Sequence, residues 1–505
     1  MFSRAYSAVI HGIDGLIVSV EADVSDGLPL FDMVGLLNSE VREARERVRI
    51  AIKNSGYNLP AKRITVNLSP ADIRKEGTAF DLPVAIAILT SFGHIQEENL
   101  KHTLIIGELS LNGKVNKVNG VLPLVYSAMK QGFLRCLVPK ENAGEGAVVE
   151  GIETYGVSTL KEAVKLINDI DTFTPEKVDI KKHFDNTLDG EDIDFSEVVG
   201  QVAVKRAIEV AVSGMHNILM IGPPGSGKTM LAKRIPTIMP ELSFDESMEI
   251  SKIYSIAGLL ENQALITKRP FRSPHHTITS SALVGGGKIP KPGEISLAHN
   301  GVLFLDELPE FQKNTIEVLR QPLEEKAVTI SRLNATFRYP AGFMVVASMN
   351  PCFCGFYPDR NKCHCSLPMV ERYLGKISKP ILDRIDICIE TMQIEYGELQ
   401  SKVKAESSAD IRKRIAIARK IQLERYKNTK IWFNSQLTPK TIKKYCKLEA
   451  KEQSLMEQAF SKMNLSARAY HRILKVARTI ADLDQSETIS SKHISEAICY
   501  RSLIQ

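Results

Sequence analysis

His216-Asn217-Ile218-Leu219-Met220-Ile221-Gly222-Pro223-Pro224-Gly225-Ser226-Gly227-Lys228-Thr229 is the stretch on which the fold turns. Its first six residues read as a short buried strand. The next eight match G-x-x-x-x-G-K-T, and a helical pattern from Met230 to Ile235 follows. Strand, glycine loop and helix, in that order, form the context in which this motif cradles phosphate. Glycines let successive backbone N–H groups turn inward, and the helix N-terminus adds partial positive charge. The expectation is an ATP site. Gly222, Pro223, Pro224, Gly225, Ser226 and Gly227 wrap the phosphates, Lys228 reaches the β- and γ-phosphates, and the Thr229 hydroxyl ligates Mg²⁺.

Outward from this loop, Gly301-Val302-Leu303-Phe304-Leu305-Asp306-Glu307 is an apolar strand ending in two acids. Asp306 is expected to hold Mg²⁺ through water, and Glu307 to orient or deprotonate the attacking water. Phe343 to Asn350 is a further apolar strand with a polar end. In a parallel sheet its C-terminal end faces the same crevice, so Asn350 is expected to position that water. Two arginines extend the catalytic set. Arg384, in Pro380-Ile381-Leu382-Asp383-Arg384-Ile385-Asp386, is a candidate finger for a neighbouring subunit's site. Arg468, at the start of a helical pattern, is a candidate γ-phosphate sensor. Spacing alone fits ordinary ion-pair arginines equally well.

At 505 residues the chain is too long for one core and long enough for about three domains. Residues 1–168 mix short strand patterns with helical ones, and 169–194 read as a polar linker. Residues 195–392 form the α/β nucleotide core, and 393–505 a helical terminal domain. From Tyr396 to Gln505 there are 22 Lys and Arg against 11 Asp and Glu, whereas the whole chain carries a net charge of +6. The terminal domain is therefore basic on a slightly acidic body, which suits a polyanion such as nucleic acid or, equally, a solvated helical face. No apolar run is long enough to span a membrane, and the N-terminus lacks a signal-peptide core, so the expected location is cytoplasmic.

The motifs resemble those of a known family. Arg272-Ser273-Pro274-His275-His276-Thr277, Gly285-Gly286-Gly287, Lys291-Pro292-Gly293-Glu294-Ile295-Ser296-Leu297-Ala298-His299-Asn300-Gly301, Asn350-Pro351-Cys352 and Leu382-Asp383-Arg384-Ile385-Asp386 look like the ComM/YifB group of Mg-chelatase-like AAA+ proteins. The resemblance covers essentially the whole chain. It implies an AAA+ P-loop core of the helix-2-insert kind, working as a homo-hexameric ring helicase. Such a ring would drive branch migration of single-stranded or branched DNA in natural transformation or recombination, alongside recombination proteins. It also implies that Arg384 acts in trans and Arg468 as the lid sensor. Val328 to Arg338 then takes the place of a pore hairpin, with Arg332 gripping DNA phosphate. Ser273 to Gly287 takes the place of the insert loop, with His275 and His276 towards the pore. The rival within this resemblance is a magnesium chelatase-like ATPase subunit that remodels a protein partner.

The N-terminal residues resemble the Lon protease fold, whose chemistry needs a Ser–Lys dyad. Here Ala79 stands in the Ser place, with Thr78 beside it, and Leu122 in the Lys place. Without nucleophile and base there is no acyl transfer, so a scaffold is expected. Four of the eight cysteines, Cys352, Cys354, Cys363 and Cys365, fall within 14 residues. Two Cys-x-Cys arms can give four thiolates to a structural Zn²⁺, with His364 as a possible replacement ligand. Reduced free thiols and redox chemistry are the other readings of this cluster.

Overall fold

The computed structural model describes residues 1–185, 193–261, 263–287, 290–332, 335–393 and 405–501. The chain divides into two compact units: Met1–Thr187 with Phe244–Thr267, and Leu188–Ser243 with Lys268–Gln505. The span 195–392, expected as one core, is thus interrupted by a segment that packs with the N-terminal residues.

The first unit is built on a seven-stranded mixed sheet. Phe2–His11 and Asp14–Ser25 form its antiparallel centre, and Arg63–Ser69 continues it antiparallel. Thr103–Ile105, Arg135–Pro139 and Glu153–Val157 extend the other side in parallel. The Asp81–Ser91 helix, DLPVAIAILTS, is apolar on nearly every side, and all eleven of its residues are buried, as a central helix must be. The Phe244–Ala257 helix and the loop after it join this unit because Met248, Ala264 and Leu265 complete an apolar cluster with Val121, Leu122 and Val125.

The second unit carries a five-stranded, all-parallel sheet. Its spatial order is Phe271–Arg272, Val302–Leu305, Met344–Met349, Ile218–Ile221, Ile387–Glu390. The central strands Val302–Leu305 and Met344–Met349 are buried throughout, which is why they read as unbroken apolar runs. Parallel pairing brings all the C-terminal strand ends to one edge. The terminal helices, among them Ser408–Arg425, Ala467–Leu483 and Ser491–Cys499, share an apolar core with this sheet. Within the terminal helices, fully buried Asp482 accepts both Arg425 guanidinium nitrogens at 2.8 and 2.5 Å, Arg478 at 3.1 Å and Asn434 at 2.8 Å. A buried carboxylate is tolerated only when its oxygens are satisfied in this way.

Ala327–Arg332 pairs antiparallel with Ala335–Pro340, so the expected hairpin is present. Leu333, Asn334 and the side chain of Arg332, the expected phosphate grip, lie outside the described residues. Among the described residues no helix is long and apolar enough to cross a membrane.

Candidate active site

Gly225 and Gly227 adopt φ of +76° and +83°, a left-handed conformation that side chains resist, and this is what folds the loop back over the strand end. Gly222 is required for a different reason. A Cβ there would lie 2.1 Å from Oγ1 of Thr391 and 2.3 Å from its carbonyl oxygen. Thr391 and Ser226 also share a hydrogen bond of 2.8 Å, tying the loop to the end of the neighbouring strand.

Lys228 opens the Lys228–Ile238 helix. Its ammonium donates to the carbonyls of Gly222 at 2.7 Å and Pro223 at 2.9 Å, and to Oδ1 of Asn350 at 3.3 Å. Burial lowers the Lys228 pKa, against the pull of Asp306 and Glu307. The Thr229 hydroxyl donates to Oδ2 of Asp306 at 2.8 Å, so the two expected Mg²⁺ ligands, 77 residues apart, meet. The other Asp306 oxygen accepts from the Glu307 N–H at 3.1 Å and from the hydroxyl of Ser348. Both carboxylate oxygens are thus oriented by donors, which would fix how they meet a metal ion.

Glu307 is exposed and takes a left-handed φ of +53°. Such a backbone costs about 1–3 kcal/mol in a non-glycine residue and is typical of sites where a side chain must be aimed. Here it turns the chain off the strand end into the Leu308–Glu310 turn. Lys228, Thr229, Asp306, Glu307 and Asn350 therefore share the edge where the strands end. Ser348 and Thr391 belong to the same arrangement, and sequence reading passed over both. The one available signal for Ser348 was a hydroxyl, fully buried here, in an otherwise apolar strand.

Arg384 and Arg468 do not join them. Together they line a separate cavity of about 760 Å³, with Glu324, Lys326, Asp386, Arg472 and Lys475, and none of Gly222–Thr229 contributes to it. Arg384 donates to the Pro380 carbonyl at 2.6 Å and pairs with the Glu324 carboxylate. Among the described residues its Nε is buried without a partner. Arg468 is exposed on the first turn of its helix. Burial holds the Lys475 ammonium down at about 8. Although burial pushes the Asp386 carboxyl up, Arg472 and His216 keep it well below the usual carboxylate range. The cavity is thus rich in cations, with Glu324, Asp383 and Asp386 as its carboxylates.

The four clustered cysteines converge. Their sulfurs all lie within 4.8 Å of one another, with Cys352–Cys354 at 3.3 Å, Cys354–Cys363 at 3.5 Å and Cys352–Cys363 at 3.8 Å. Four thiolates about 2.3 Å from one Zn²⁺ stand about 3.8 Å apart, so this donor set fits the metal. His364 is exposed and lies outside the group. The Phe356 N–H and the neighbouring sulfurs lower the Cys354 thiol to about 6. The rings of His275 and His276 lie tilted at 35° with centroids 4.1 Å apart, and His276 is edge-on to Phe311 at 6.4 Å. Among the described residues they belong to no metal-ligating group.

In the first unit, Thr78 donates to the Glu108 carboxylate, Ala79 is half-buried and Leu122 is fully buried. The Leu122 N–H donates to Glu145 at 2.8 Å, and Glu145 also accepts from Asn142 at 2.9 Å and from Ser255 of the Phe244–Ala257 helix. The Gly120 N–H donates to the Ser255 carbonyl at 3.1 Å. The space beside Leu122 is filled by this helix.

Competence protein ComM of Haemophilus influenzae is 42% identical to this chain over 501 residues, covering 99% of this chain and 97% of its own. The chain belongs to the ComM/YifB family. YifB of Escherichia coli is likewise 42% identical over 502 residues, covering 99% and 97%. Three family models match along the chain: subunit ChlI of Mg-chelatase at 20–142, magnesium chelatase subunit ChlI at 194–399, and its C-terminal part at 405–501. DNA repair protein RadA of Halalkalibacterium halodurans is 34% identical over 114 residues, covering 23% of this chain and 24% of its own. This ComM/YifB chain is a Mg-chelatase-like AAA+ ATPase with a helical C-terminal domain.

Proposed function

We propose that this ComM/YifB protein is an ATP-driven DNA translocase that works as a hexameric ring and migrates branches in transformation or recombination. The observation that carries the ring is the division of the catalytic set. Lys228, Thr229, Asp306, Glu307 and Asn350 share one edge of the sheet, while Arg384 and Arg468 share a cavity that holds no phosphate-loop residue. A copy that supplies phosphate ligands at one place and arginines at another completes a site only with a neighbour. The DNA reading is supported by full-length similarity to a protein named for competence and by the basic terminal segment.

In this reading the loop amides and Lys228 hold the β- and γ-phosphates. Thr229 and Asp306 hold the Mg²⁺ that accompanies ATP, which neutralises phosphate charge. Glu307 takes the proton of the attacking water, Asn350 positions that water, and ADP and phosphate leave. Arg384 exchanges Glu324 for the neighbour's γ-phosphate, and Arg468 adds a second positive charge. Arg332 contacts DNA phosphate from the hairpin. Cys352, Cys354, Cys363 and Cys365 hold a structural Zn²⁺, which brings no chemistry of its own to the phosphates.

The test is ATPase rate with and without branched or single-stranded DNA, alongside Glu307→Gln. Stimulation that the variant lacks supports the motor; no stimulation and no DNA binding defeats it. The second reading, a chelatase-like subunit remodelling a protein partner, is favoured by the descriptions of all three matching models. It predicts ATPase activity that responds to a protein partner and is indifferent to DNA.

A further inference from the structure

The cysteine cluster touches the phosphate loop. Gly355 lies within the loop closed by the four cysteines, at a left-handed φ of +85°, and a Cβ there would stand 2.5 Å from Cδ and 3.3 Å from Cγ of Pro224. The backbone of the knot therefore rests on the ring of a residue in the middle of the phosphate loop. Phe356, Tyr357, Asp359 and Lys362 face Gly222 and Pro223 across a cavity of about 430 Å³. The two segments start side by side, because Ile221 and Met349 are partners in neighbouring parallel strands and the Gly222 N–H donates to Met349 at 3.1 Å.

Pro223 and Pro224 have no N–H with which to pin this part of the loop. Among the described residues the Pro224 carbonyl accepts a long 3.4 Å bond from Gln393. The knot, in contrast, is fastened on its other flank. Phe353 packs on Tyr373 at 4.8 Å, and Lys376 lies over Phe353 at 5.2 Å. Lys376 also pairs at 3.0 Å with Glu310, in the turn that follows Glu307. A firm body thus abuts Pro224, between loop residues that are themselves tied down by Lys228 at Gly222 and Pro223 and by Thr391 at Ser226.

We propose that the four-cysteine knot, closed by Zn²⁺, is a positioning element of the nucleotide site: it holds Pro224 and thereby sets the affinity for nucleotide. The metal part rests on the zinc reading above, whereas the contact of Gly355 with Pro224 is independent of it. Coupling of this kind is reciprocal, so nucleotide must in turn change the affinity for Zn²⁺.

Two measurements on the full-length protein test this. In Gly355→Val the added branch strikes Pro224, so the variant, still carrying one Zn²⁺ per chain, should bind a fluorescent ADP analogue about tenfold more weakly or worse. Its turnover at saturating ATP should change far less. In the wild type, zinc-buffered titration should show tighter Zn²⁺ binding with saturating ADP, by the factor that zinc removal weakens ADP binding. A zinc-loaded Gly355→Val that binds ADP like wild type overturns the proposal, as does a Zn²⁺ affinity indifferent to ADP. Wild-type protein that binds no Zn²⁺ overturns the zinc reading, and the Gly355→Val comparison then decides whether the knot alone holds the loop.

Discussion

Gly227 and Gly120 occupy nearly the same backbone conformation, φ of +83° and +81°, and each launches a helix. Behind Gly227 comes Lys228, whose ammonium meets two carbonyls and Asn350 at the sheet edge. Behind Gly120, two residues on, comes Leu122, fully buried, with the Ser255 helix packed beside it. The two turns differ in what converges on them. A glycine-led helix N-terminus becomes a chemical site only when polar groups from other strands arrive around open space. Where apolar side chains and a neighbouring helix fill that space, the same turn is a packing joint.

That comparison can be broken at several points. The largest effect should come from Lys228→Ala, which removes the phosphate-binding ammonium, and from Glu307→Gln, which keeps ATP binding but removes the base. Each should lower ATP turnover by about 10²–10⁴-fold, the range of a positioned proton acceptor or charge. Nucleotide binding by the Gln variant at wild-type affinity would separate the two roles.

Of comparable size is the division between edge and cavity. Arg384→Ala should be nearly inactive alone, with a loss of about 10³-fold or more. Mixing it with Lys228→Ala should restore part of the activity, because one interface then combines an intact phosphate loop with an intact arginine. Mixed rings as dead as their parents would place Arg384 in its own chain's chemistry or in folding.

Restoring the dyad residues probes the other turn. Ala79→Ser with Leu122→Lys should cleave no casein. The ammonium, placed in a fully buried apolar position, should cost the first unit about 2–5 kcal/mol in denaturant unfolding. Proteolysis by this variant would show that the joint is still an open site.

The smallest effect concerns Asp81, at the start of the buried Asp81–Ser91 helix. Burial lifts its carboxyl to about 6, although Arg47 bonds it at 2.9 and 3.0 Å. The folded state therefore keeps a proton that the unfolded chain releases above about pH 4. The Asp81 contribution is full below that pH and falls as pH rises through about 6, by at most about 1.4 kcal/mol per pH unit. Asp81→Asn should flatten this decline in urea unfolding at pH 4.5 and 7; an unchanged slope would assign it elsewhere.

Much of the nucleotide site was legible along the chain because its parts are local. A phosphate loop needs glycines at fixed offsets, and a buried parallel strand reads as an apolar run whose polar end marks the sheet edge. Gly225, Lys228, Asp306 and Asn350 stand out on those grounds, as did the four cysteines, whose spacing already confined them to one loop. The N-terminal unit is legible as lacking the dyad because Ala79 and Leu122 stand where the resemblance expects Ser and Lys, an identity that needs no coordinates.

The remainder depends on contacts between distant residues, which no periodicity encodes. Ser348 reaches Asp306 from 42 residues away, and Thr391 reaches Ser226 from 165. Arg384 and Arg468 meet in one cavity only because the terminal helices share a core with the sheet. The Phe244–Ala257 helix leaves its sequence neighbours for the first unit because Met248, Ala264 and Leu265 find their burial there. Gly355 meets Pro224 because two neighbouring strands end together. Local chemistry named the parts of the engine; the burial of apolar surface chose which parts would meet.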